Sequence, residues 1–323
     1  MKIIKHIDNN RMSVLGYENY ISQIDGVIDY GYVCSDVLSL PYIVKKRGIY
    51  KFVQLPSIIV GGNEDSAGKQ QFIEGAVEEL CRKENPDAIL TLNTAICSVH
   101  PEKAEYCKFG SYIIDLQKTE DEIFAEIHSK HRNVIRKAEK DGLTVDFGPQ
   151  YADVCYEQIK ETYERQQRVA YTKEHFEKLK KLGENVDYWV VKSGEEVQGC
   201  AVLLWSKGFS SYYLHGGSGP HPHGGAMNLL HWEAIRKMKE RGVLKYDFVG
   251  ARVNPEPGSK LEGIQRFKSR FGGEMKVGYM WRYVNRPFRY KLYTLMLNSY
   301  MKYVKHDNTF SDIIKEERAK GNY

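Results

Sequence analysis

No two of the six cysteines, at 34, 81, 97, 107, 155 and 200, stand in Cys-x-x-Cys spacing. That leaves no zinc knuckle to read, and reduced, mostly buried thiols are expected, as in a cytoplasmic protein. No apolar run reaches membrane-spanning length, so no transmembrane helix is expected. The opening Met1-Lys-Ile-Ile-Lys-His-Ile-Asp has no apolar h-region, so no signal peptide is expected either. Neither a Ser/His/Asp nor a Cys/His signature of covalent catalysis is visible, and group transfer without a covalent enzyme intermediate is expected. A net charge of +5 over 323 residues is far below that of a nucleic-acid coat. It suits an anionic substrate such as a nucleotide, a phosphate or an RNA end, and equally an ordinary solvated surface. With 42% apolar and 28% charged residues the chain reads as globular, and its length allows two domains.

What is present is a regular alternation of strands and helices. Val37–Val44 and Ile49–Leu55, joined by Lys45-Lys-Arg-Gly, predict a hairpin, followed by a loop through Gly61-Gly-Asn-Glu-Asp-Ser. Phe72, Ala76, Val77 and Leu80 share a face and predict a helix over 69–83, and strands are expected at 88–92 and 111–116. The steps of three and four through Phe124, Ile127, His131, Ile135 and Ala138 predict one helix over 119–141. Thr119 and Glu122 start it as a capping box and Gly142 stops it. A strand from Leu143, helices over 151–168 and 172–182, and strands at 188–192, 197–205 and 209–215 follow. A Gly/His-rich loop leads to a helix at 227–241, a strand at 244–249, a helix near 260–270 and a strand near 275–284.

That order resembles the acetyltransferase superfamily. It implies an α/β fold of two tandem GNAT-like domains with mixed, mostly antiparallel sheets, the first domain a rougher version of the second. The expected division is 1–142, 143–285 and a helical tail, 286–323.

Four local patterns make the resemblance narrower. Tyr246-Asp-Phe-Val-Gly250 is followed by Gly263-Ile-Gln-Arg-Phe-Lys-Ser-Arg-Phe-Gly-Gly273. Lys130-His-Arg-Asn-Val-Ile-Arg-Lys-Ala-Glu-Lys-Asp-Gly142, Tyr163-Glu-Arg-Gln166 and Tyr213-Leu-His-Gly-Gly-Ser218 precede them in order. Together these resemble the FemABX family, over roughly 110–285. The resemblance implies an acyl- or aminoacyltransferase, with an aminoacyl-tRNA-like donor and a cell-envelope, peptidoglycan or polysaccharide precursor as acceptor. It places Lys268 at the reactive end of the donor, where a cation would stabilise the carbonyl oxyanion, and the Phe267 backbone as a second contact. No coiled-coil insertion is present, which points to a compact branch.

Other residues are read from their chemistry. His215 and Asp247 are candidate bases, with Asp247 also a candidate partner for an arginine. Tyr213 is a candidate to orient the acceptor. Arg132, Arg136 and Arg165 are candidate phosphate ligands. His221-Pro-His-Gly-Gly-Ala226 stands where acyl-CoA-dependent relatives keep an Arg/Gln-x-x-Gly-x-Gly/Ala loop. Gly224 and Gly225 match, and the leading residue differs. An acyl-CoA-dependent N- or O-acyltransferase is therefore the alternative, and a non-catalytic scaffold a third reading. The histidines at 215, 221 and 223 have no nearby carboxylate or thiol in sequence, so no metal site is expected. No cofactor is expected beyond the acyl donor as co-substrate. The hairpin lysines 45 and 46 are candidate contributors to the acceptor cleft. Residues 287–305, with Tyr293, Leu297, Tyr300 and Val304 on one stripe, predict a helix that docks on the body or touches a membrane or partner. The partners implied are an anionic precursor, a tRNA acceptor end and the inner face of a membrane.

Overall fold

The computed structural model describes residues 1–62, 65–94, 96–303 and 312–323, apart from the side chain of Arg11. Val304 of the expected stripe, and Asn63 and Glu64 of the expected loop, lie outside these. The chain begins β1 (Lys2–Ile4), α1 (Glu18–Ile21), β2 (Val27–Cys34), β3 (Ser39–Arg47), β4 (Tyr50–Leu55), α2 (Ser66–Glu84), β5 (Ala88–Thr91) and β6 (Glu105–Asp115). Next come α3 (Glu120–Glu126), α4 (Ser129–Lys140), β7 (Leu143–Phe147), α5 (Ala152–Arg165), α6 (Lys173–Lys180), β8 (Val186–Ser193), β9 (Glu196–Trp205) and β10 (Ser210–Ser218). It ends α7 (Ala226–Glu240), β11 (Lys245–Asp247), β12 (Ala251–Arg252), α8 (Lys260–Ser269), β13 (Glu274–Val284), α9 (Pro287–Tyr303) and α10 (Ile313–Ala319).

Two compact units result, one of residues 1–110, 250–254 and 277–323, the other of 111–249 and 255–276. The boundary expected at 142 moves because α4 turns Ile135 and Ala138 into the same core as Trp232, Ile235 and Met238 of α7. The helical tail expected over 286–323 belongs to the first unit. Tyr293 packs on Phe52 and Tyr50 at ring distances of 4.6 and 5.2 Å, and β13 pairs its end with β5.

Both units are built on one plan. In the first, the β3–β4 hairpin is followed by a crossover through α2 that sets β5 parallel to β4. In the second, the β9–β10 hairpin is followed by α7 and by β11 parallel to β10. All other strand pairs assigned within the two units are antiparallel. A parallel pair needs such a crossover, and α7 supplies it with buried Leu229, Leu230, Ala234 and Ile235 on its sheet-facing side.

The helix expected over 119–141 is two helices. Ile127 and His128 are extended, with ψ of 131° and 139°. Neither is a breaker. His128 starts a fresh helix by accepting the Lys130 N–H on its ring, and its own N–H goes to the Arg270 carbonyl at 2.8 Å. Thr119 and Glu122 form the predicted capping box. No helix among the described residues is long and apolar enough to cross a membrane.

Candidate functional site

In the second unit β11 leaves β10 after three paired residues, Ser210–Tyr212 against Lys245–Asp247. Two local features force the parting. On β10 a bulge falls between Tyr213 and His215, with Leu214 as the extra residue, and a bulge bends its strand. On the other side, Val249 and Gly250 both take left-handed conformations, with φ of 51° and 61°. For glycine that is easy. For a β-branched residue it is rare and strained, and it persists only where neighbours over-determine it.

The neighbours here are Asp247 and Lys268. Asp247 accepts the Val249 N–H at 2.7 Å and the Ser111 hydroxyl. Lys268 donates its ammonium to the Val249 carbonyl at 2.5 Å. The strained peptide is therefore gripped at both ends. Lys268 is 9% exposed. Burial pushes its pKa down to about 8, with the charge of Asp247 working in the other direction. Burial likewise pushes the Asp247 carboxyl up, against its two hydrogen bonds and the lysine. An ammonium of this kind is largely charged at neutral pH and loses its proton just above it.

The surroundings explain the desolvation. Phe248, Phe267, Phe271 and Tyr213 ring His231, all with centroids within 6 Å of its own. His231 is buried, bonds the Tyr246 hydroxyl through Nδ1 at 2.8 Å, and finds no hydrogen-bond partner for Nε2 among the described residues. Burial, then the Lys268 charge, then His131 hold its pKa down at about 3. His131 donates to the Phe267 carbonyl at 3.1 Å and is held at about 4, mainly by burial. Two neutral imidazoles and one ammonium thus share an aromatic pocket. Close by, Gly272 takes φ of 80°, and a Cβ there would stand 2.8 Å from the Glu126 backbone. The paired glycines of the motif let the end of α8 approach α3.

The sequence model for an acetyltransferase (GNAT) domain matches residues 127–269, the span from the α3–α4 junction to the end of α8. The fold of the chain is similar to that of FemX, with a TM-score of 0.69 at 16% identity, over 90% of this chain and 99% of that one. It is also similar to the C-terminal domain of a putative lysylphosphatidylglycerol synthetase from Agrobacterium fabrum, with a TM-score of 0.53 at 14% identity over 84% and 89%. L-PGS from Bacillus licheniformis gives 0.53 at 15% identity over 82% and 88%. No curated protein matches the chain in sequence. The FemABX-like GNAT fold expected of the chain is the one it has.

Within the second unit, the structure brings Lys268, Asp247 and Phe267 together, with Tyr213 across the aromatic pocket. It gives Phe267 a different task from the expected one. Its N–H lies inside the ladder of α8 and its carbonyl holds His131, so its backbone orders the pocket.

His215 goes elsewhere. Period-two alternation would set it on the face of Tyr213, and Leu214 as an extra residue separates them. His215 packs on Tyr171 and Phe176 and meets His175 Nε2 to Nε2 at 3.1 Å. Burial holds its pKa at about 3, so the expected base near neutrality is not available there.

The arginines are occupied locally. Arg132 donates to the Ala125 and Ile127 carbonyls and closes the end of α3. Arg136 lies over the Phe124 ring at 5.3 Å. Arg165 donates to the Ser218 and Gly219 carbonyls.

Three N–H donors of the Gly/His loop before α7 are engaged as well. The His223 N–H goes to the Gln198 side chain, Gly225 N–H to the His223 ring, and Ala226 N–H to the His223 carbonyl. A Cβ on Gly225 would stand 2.8 Å from the Val134 carbonyl, so this glycine serves helix packing, while Gly224 faces open space. His223 pairs with Asp141 at 2.9 Å, and no group of three metal-ligating side chains occurs among the described residues.

Sequence reasoning missed Ser111, His231 and Val249. For His231 a signal existed, a histidine inside the apolar run Leu229-Leu-His-Trp232. For Val249 none existed, since nothing in its residue type announces a left-handed backbone.

Proposed function

We propose that the protein transfers an aminoacyl group, or a closely similar acyl group, from an activated ester to an amine or hydroxyl of an anionic cell-envelope precursor. The observation that carries this is the buried Lys268 ammonium, fixed on the Val249 carbonyl at the parting of β10 and β11. Attack on an acyl carbonyl builds charge on its oxygen. A fixed cation in an aromatic, water-poor pocket opposes that charge more strongly than one in water. The reaction is direct: the acceptor nitrogen or oxygen forms a bond to the carbonyl carbon, the tetrahedral oxyanion collapses, and the ester oxygen leaves with its electron pair and takes up a proton.

Two features support an aminoacyl-tRNA-type donor over acyl-CoA. Three N–H groups of the loop before α7 already have partners inside the protein, which leaves the loop a poor cradle for a pyrophosphate. The fold is also shared with the C-terminal domain of a putative lysylphosphatidylglycerol synthetase, a name that joins an aminoacyl group to an anionic lipid. The expected phosphate ligands Arg132 and Arg165 do not strengthen the acceptor assignment, since backbone carbonyls hold both.

The deciding experiment is a donor screen. Purified protein is mixed with a panel of charged tRNAs and a panel of acyl-CoAs, with UDP-linked and lipid-linked precursors as acceptors, and products are read by mass spectrometry. Transfer from a charged tRNA that is lost in Lys268→Ala supports the proposal. Transfer from acyl-CoA alone overturns the donor assignment.

A further inference from the structure

Helix α9 is apolar on both sides. Its inner face, Tyr290 and Tyr293, covers Phe52 and Tyr50 of the first unit. Its outer face is bare: Phe288 is 80% exposed, Leu295 57%, Met296 56% and Tyr303 67%, with Leu292 beside them. A helix that is apolar all round is ordinarily buried. A second element brings its own apolar residue to the same place. Ile49, at the tip of the β3–β4 hairpin, is 74% exposed, and Arg289 of α9 holds its carbonyl at 2.6 Å.

The charge carried by α9 and the hairpin tip themselves is of one sign, with Asp87 and Asp312 as acidic neighbours paired to Arg289 and Arg282. Helix α9 contains Arg289, Lys291 and Lys302 and no acidic residue. Lys46 and Arg47 stand exposed on the hairpin beside it, and Arg47 reaches the Tyr293 hydroxyl at 2.9 Å. Arg289 is matched by Asp87, which leaves the lysines of α9 and the hairpin cations to set the sign of the surface. Exposed apolar side chains level with a basic rim, on a helix lying along the body, have the form of an interfacial helix.

We propose that α9 and the β3–β4 hairpin tip form a docking surface for an anionic lipid bilayer. The apolar side chains of Phe288, Leu292, Leu295 and Ile49 enter the boundary between headgroups and acyl chains, and Lys46, Lys291 and Lys302 meet the headgroup phosphates. Each such cation strengthens binding to an anionic surface about fivefold. The surface lies in the first unit, while Lys268 belongs to the second, so docking and transfer fail separately.

The test is co-sedimentation of the full chain with phosphatidylcholine vesicles and with vesicles containing about one-third phosphatidylglycerol. Retention on the anionic vesicles at least about fivefold above the neutral ones, and release in high salt, are expected. Phe288→Ser with Leu295→Ser should abolish retention, and Lys291→Glu with Lys302→Glu should remove its dependence on phosphatidylglycerol. Thermal unfolding of each variant checks that it is folded, and Lys268→Ala should bind as the unmodified protein does. Equal behaviour on the two vesicle types overturns the proposal. So does a dimer in sedimentation velocity that Leu295→Ser converts to a monomer, which would assign the face to a second copy of the chain.

Discussion

Two places in the second unit carry family-like patterns, the turn after β11 with α8 behind it and the loop before α7. They differ in what their polar groups are doing. At the first, an ammonium and a carboxylate hold a strained peptide in a pocket poor in water, and the lysine stays close to its titration point. At the second, the N–H groups of His223, Gly225 and Ala226 are bonded within the protein, and Gly225 is there to admit α4. A motif can be preserved by chemistry or by packing, and only the hydrogen-bond partners tell the two apart.

The contrast breaks most sharply at Lys268. Lys268→Ala should lower the single-turnover rate by a hundredfold or more, about 3 kcal/mol of transition-state stabilisation. A loss below tenfold would make Lys268 a support for the turn and no more. With the native lysine, the rate should fall above about pH 8, tenfold per further unit, as the ammonium loses its proton. Lys268→Arg should carry that limb beyond the measurable range, and a rate profile unchanged by the substitution would assign the limb to the acceptor instead.

Stability should move the opposite way over the same range. The folded pKa of about 8 lies below the ordinary lysine value of 10.5, so between these values the unfolded chain binds more protons. Relative to Lys268→Met, urea-unfolding stability should therefore rise as pH goes from 8 towards 10.5. At the loop, Gly225→Ala should destabilise by about 1–3 kcal/mol, because the added methyl meets the Val134 carbonyl and Ala138. Gly224→Ala should stay within about 0.5 kcal/mol in the same denaturation series, since nothing lies near it.

The sequence disclosed those parts of the fold that periodicity records. Strands β9 and β10, helix α7 and the capping box at Thr119 followed from spacing alone. The break at Ile127 and His128 did not. The apolar stripe through Phe124, Ile127 and His131 runs across it unbroken, and no glycine or proline marks it. Strand β2 was also missed, because Asp29 and Gly31 interrupt the alternation that its pairing with β3 makes good. Lys268 was found by resemblance and Asp247 by its place on a strand. His215 was misplaced because a single bulge residue reverses alternation, and bulges leave little trace in residue type. The C-terminal helix was legible, but not its attachment to the first unit, which rests on Tyr293 meeting residues more than 200 positions away.

The buried histidines of the second unit have a further consequence, for acid. His131 and His231 in the aromatic pocket, and His215 outside it, are held at about 4, 3 and 3, below the ordinary imidazole value of 6.5, so the unfolded chain takes protons first as the pH falls through that gap. Their contribution is complete above about pH 6.5 and is withdrawn below it, when unfolding alone lets three imidazoles ionise. Lys268 fails on the alkaline side of neutrality. With Lys268 in the role proposed for it, the second unit should have an operating window with two edges: acid should end it by unfolding the chain, and alkali by discharging Lys268 in a chain that remains folded.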